Sequence, residues 1–163
     1  MKAKTTVAEF IAKIEAAKGQ AGVDLSTSED LSLAVMNLIS LEEHFFFTAV
    51  KTGKEGYFDT AQVIRSERKK WLAELLPNNE GETWCIAKHL LGAAMRLIEV
   101  GNKLQANGDR AKAAQAFASA YKVYSLFWGL RLQLIDGRGI KKAAKDSATF
   151  EDLVSKLVDC CDE

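Results

Sequence analysis

Three residues of this chain combine types and spacing that can do chemistry: Glu42, Arg65 and Arg68. With successive helical residues about 100° apart, Glu42 falls at the centre of an apolar face made by Leu31, Val35, Leu38, Phe45, Phe46 and Ala49. Arg68 falls at the centre of the next apolar face, made by Tyr57, Ala61, Ile64, Trp71, Leu72 and Leu75, with Arg65 at its edge. Height gives an independent match. The turn between the two segments has its midpoint near residue 55, and Glu42 and Arg68 lie equally far from it on either side. They are expected to face each other.

An unpaired buried charge is costly, so a carboxylate in a core needs a partner or a route to water. Arginine suits the task because its guanidinium can hold a carboxylate through two parallel hydrogen bonds. Two readings follow. In the preferred one, the pair is a structural clasp that fixes helix register. In the other, it borders an interhelical pocket, where Glu42 acts as acid, base or ligand and Arg68 or Arg65 anchors an anion.

Metal chemistry has weaker support. Cys85 and His89 are four residues apart, so they share one helical stripe and can clamp one metal between them. The stripe continues with Gly92 and Arg96, and a cation there disfavours a metal. Glu43 and His44 are adjacent, which points them about 100° apart, whereas carboxylate-bridged di-metal bundles need Glu-x-x-His. His44 falls on the polar face and reads as solvent-exposed. No Gly-x-Ser-x-Gly elbow, phosphate loop or dinucleotide fingerprint occurs. No catalytic residue, metal or cofactor is therefore assigned.

The elements that must position these residues are helices. The chain has 163 residues with one proline and long stretches free of glycine. That length suits a single domain with its own core. A short amphipathic helix is expected over 6–18, four main helices over about 28–135, and a last short helix over 149–161. Thr27 and Asp30 resemble a capping box at the start of the second helix. Connections such as Gly53–Gly56 and Asn107–Asp109 are short, so neighbouring helices should run antiparallel. The expected fold is all-α: an antiparallel bundle of four main helices with two shorter terminal ones.

Lysine plus arginine equals aspartate plus glutamate at 22 each. This balance gives no electrostatic argument for nucleic acid or an anionic membrane. No continuous run approaches the ~20 apolar residues that span a bilayer. Three cysteines, two of them adjacent, make a poor disulfide framework and point to a reducing, cytoplasmic setting.

Residues 94–127 carry a further pattern. Gly101 and Ala113 are small where two helices would approach closely, Gly108-Asp109 makes the turn, and Phe117 and Ala120 take later packing positions. The stretch resembles a single tetratricopeptide unit. Leu97 and Leu104 stand where that family often has aromatics, its closing proline is missing, and no second copy lies one period away. The resemblance implies binding of a partner peptide in a concave groove. The helix after this turn is apolar almost all round, with Phe117, Tyr121, Tyr124 and Trp128 on one side and Val123, Leu126, Phe127, Leu130 and Leu134 on the other. Such a helix is central to a bundle or covered by a second subunit. Arg131 on this helix either contacts Trp84 or extends to solvent. The leading expectation is a non-catalytic protein-interaction or scaffold module, self-associating through this helix. The alternative is a ligand-binding or enzymatic bundle with a Glu/Arg pocket.

Overall fold

The computed structural model describes residues 25–77 and 82–133. Among them are four α-helices and no strand: α1 (Leu25–Thr52), α2 (Gly56–Leu75), α3 (Thr83–Ala106) and α4 (Arg110–Arg131). The all-α expectation holds for these residues. The two expected terminal helices, 6–18 and 149–161, lie outside the described residues.

Local chemistry explains where the helices stop. Gly53 at φ 65° and Gly108 at φ 84° take the left-handed conformation that turns each chain end back. At the second turn, Asp109 caps α4 by accepting a hydrogen bond from the backbone N–H of Lys112. Two sequence expectations need correction. α1 starts at Leu25, so Thr27 and Asp30 sit inside the helix rather than capping it. Leu25 packs against the core, and that contact carries the helix back beyond the local signal. α4 ends at Arg131, short of Ile135, because Gln133 adopts φ 57°.

The helices form two hairpins. α2 packs on α1, α4 packs on α3, and α1 joins the hairpins by lying against α3. The shared core draws on all four helices through Val35, Met36, Leu72, Leu91, Phe127 and Trp128. Tyr124, Phe127 and Trp128 make mutual ring contacts within it. Every residue from Ser125 to Leu130 is buried, as expected of a helix apolar on all sides. At this end Ser32 Oγ donates to the Glu29 carbonyl and is hydrogen-bonded to Tyr124 Oη, tying α1 to α4.

The close approach of α3 and α4 depends on Gly101. A Cβ at that position would lie 2.4 Å from the Phe117 ring. Arg131 turns to Ser28 rather than to the Trp84 ring. It is half-buried, its Nη2 lies 3.5 Å from Ser28 Oγ, and its Nε is buried with no partner. Burial alone pushes its guanidinium below its usual pKa.

The apolar surface left open lies mainly on α1 and α2, where Leu33, Leu41, Phe47, Val50 and Val63 are exposed. By length and composition α1 is also apolar enough to cross a membrane.

Candidate functional site

Glu42 and Arg68 meet as the hairpin geometry predicts. Arg68 Nε donates to Glu42 Oε2 at 2.7 Å. The bidentate grip expected of one arginine is instead shared by two. Arg65 Nη1 donates to the other carboxylate oxygen, Oε1, at 3.2 Å. The reason is registry: Arg65 and Arg68 are three residues apart on α2, so both reach the same point on α1. Arg68 is buried, with only 4% of its side chain exposed, while Glu42 is 21% and Arg65 48% exposed.

The pair does not sit in a closed core. It lines an open cleft of about 680 Å³ between α2 and α3, floored by α1. The cleft exists because α2 and α3 each pack chiefly on another helix, leaving space between them. Gly92 on α3 faces Ile39 on α1, and one turn further on Arg96 reaches Ser40 and Glu43.

The charges in the cleft do not cancel. Arg65, Arg68, Lys88 and Arg96 line it against the carboxylates of Glu42 and Glu43. Glu42 serves two arginines and Glu43 pairs with Arg96. Lys88 makes no ion pair among the described residues, and the buried Nη1 of Arg68 has no hydrogen-bond partner. A buried guanidinium N–H without an acceptor is costly.

The other candidates fare differently. His89 lines the cleft, whereas Cys85 is exposed and outside its lining. Among the described residues no three His, Cys, Asp or Glu side chains come together to hold a metal. His44 is exposed on the opposite face of α1 and makes an edge contact with Phe45.

Sequence reasoning missed Lys88, Phe46 and Phe58 as site residues, and saw Arg96 only as an obstacle to metal binding. The signal was present in the stripe His89, Gly92, Arg96, which is the α3 wall of the cleft. Phe46 belongs by spacing to the core face of α1, yet it is 49% exposed because that face opens into the cleft. No protein-family model, curated protein or solved structure matches this chain.

Proposed function

We propose that this helical domain is a binding module whose cleft takes a small anionic ligand. The observation that carries the reading is an open cleft lined by Arg65, Arg68, Lys88 and Arg96 against the two carboxylates of Glu42 and Glu43, with Lys88 in no ion pair among the described residues. Arginine recognises oxyanions through directed N–H donors, and partial burial strengthens each of those bonds. Binding rather than turnover is assigned because both oxygens of Glu42 already accept from arginines. That arrangement makes Glu42 the residue that holds Arg65 and Arg68 in place.

The test is a titration of the full chain with inorganic phosphate, followed by NMR of backbone amides and arginine Nε–H groups. Shifts should saturate and concentrate at Arg65, Arg68, Lys88 and Arg96. Replacing half-exposed Arg65 and unpaired Lys88, Arg65→Met with Lys88→Met, should weaken the response without unfolding the protein. A response spread over the whole surface, or unchanged in the double variant, would overturn the reading.

A second reading has its own support. Leu33, Leu41, Phe47 and Val50 place exposed apolar side chains on α1, a surface suited to another protein or a second copy. Sedimentation of the full chain over a wide concentration range tests self-association. A monomer throughout would count against the second-copy form of this reading.

A further inference from the structure

Resting on the anion-binding reading, we infer that the ligand is amphipathic: a carboxylate or phosphate head joined to a flat apolar body. The cleft is polarised along its length. From Met36 to Phe46 its floor on α1 runs about 15 Å at 1.5 Å per residue. Lys88 lies one turn before Gly92, which faces Ile39, and Arg68 pairs with Glu42. The cationic groups therefore occupy the lower and middle parts. At the upper end, towards the α1–α2 turn, stand Phe46 and Phe58.

These two rings are 49% and 41% exposed, with centroids 6.3 Å apart and planes tilted by 60°. Both line the cleft. Phe46 occupies a core-facing position of α1, so its exposure is a consequence of the opening and not of an outward orientation. A bare inorganic anion would satisfy the arginines and leave both rings in water. A ligand with an aromatic or alicyclic body would cover them as well, and burying that apolar area adds affinity that the head alone lacks. Charge complementarity fixes its direction: head towards Arg68, body towards Phe58.

The experiment is calorimetric titration of the full chain with five probes: naphthoate, naphthyl phosphate, acetate, inorganic phosphate and naphthalene methanol. Each naphthyl anion should bind at least about tenfold more tightly than its headgroup alone, and more tightly than the neutral alcohol. The order of naphthoate and naphthyl phosphate assigns the head as carboxylate or phosphate, and either order supports the inference. Phe46→Ala and Phe58→Ala should each reduce the naphthyl advantage while leaving phosphate binding intact. Acetate and phosphate binding as tightly as the naphthyl anions would overturn the inference and leave the anion site standing. Binding of the alcohol alone, or of no probe, would overturn both.

Discussion

Arg68 donates from Nε to Glu42 Oε2 at 2.7 Å, while its own Nη1 is buried without a partner. One arginine is thus committed to the carboxylate through Nε, while its Nη1 stays unpaired inside the fold. Arg65 completes the carboxylate's coordination from the solvent side, so the three side chains carry a net positive charge at the wall of the cleft. The clasp and the pocket are two aspects of one arrangement. Glu42 secures the arginines, and Arg65, Arg68, Lys88 and Arg96 line what the cleft can hold.

Removing the Glu42 charge should weaken both aspects. Glu42→Gln leaves an amide N–H₂ facing one of the guanidinium groups. Breaking a fully buried pair costs about 3–5 kcal/mol. Partial exposure of Glu42 and Arg65 reduces this, so a loss of about 1–3 kcal/mol is expected in chemical denaturation. Phosphate binding should weaken as well, because Arg65 and Arg68 lose the carboxylate that holds them in place. An unchanged denaturation midpoint would remove the triad from the account of stability.

Arg131 should respond in the opposite sense. It is half-buried, has no ion pair among the described residues, and makes only a long bond to Ser28. Its desolvation is poorly compensated. Replacing a buried charge with an apolar side chain of similar length is often neutral or stabilising, so Arg131→Met should change stability by between zero and about +2 kcal/mol. Arg68→Met, which leaves Glu42 with the half-exposed Arg65 alone, should be destabilising. If thermal unfolding shows both variants equally damaged, the Arg131 charge is compensated within the fold.

The legible part of the fold was the part set by local periodicity and short turns. The Glu42–Arg68 contact came from counting equal distances out from one turn, because an antiparallel hairpin leaves little freedom of register. The Arg131–Trp84 contact, one of the two expectations for Arg131, did not form, since residues level in a hairpin need not point at each other. The cleft was not legible, because it depends on which helices do not pack together. Periodicity marks Phe46 as facing inward but cannot tell whether a neighbour closes over it. The α4 end was missed for a similar reason: the apolar pattern runs on past Arg131, while the backbone turns at Gln133.

Gly101 should be sensitive to a single added methyl. Its missing Cβ lies 2.4–2.9 Å from three atoms of the Phe117 ring, so Gly101→Ala forces the ring or the helix to move. Overpacking costs about 1–3 kcal/mol, offset by the ~1 kcal/mol that alanine gains over glycine within a helix. A net loss of about 1 kcal/mol is expected. Phe117→Leu should relieve it, so the double variant should be more stable than the two single changes predict when added. Simple additivity in denaturation would show that the close approach of α3 and α4 is not under steric control at this point.

Asp109 supplies a pH signature confined to the start of α4. Its carboxyl is held below the usual carboxylate range, first by the Lys112 side chain and then by the Lys112 backbone N–H. The Lys112 ammonium lies 2.8 Å from Oδ2, and the backbone N–H lies 3.2 Å from Oδ1. A carboxylate with a depressed folded-state pKa stabilises the fold above its unfolded pKa. That stability is lost as the pH falls through the folded value. Asp109→Asn keeps a capping oxygen but does not titrate. The wild type should therefore be the more stable of the two at neutral pH, and this titration-linked advantage should disappear in acid. Lys112→Met removes the larger cause and should narrow the difference. Because the pair is exposed, added salt should narrow it too. Thermal unfolding across the acid range decides the point: a gap between wild type and Asp109→Asn that stays constant with pH would show that the Asp109 charge does not support the cap.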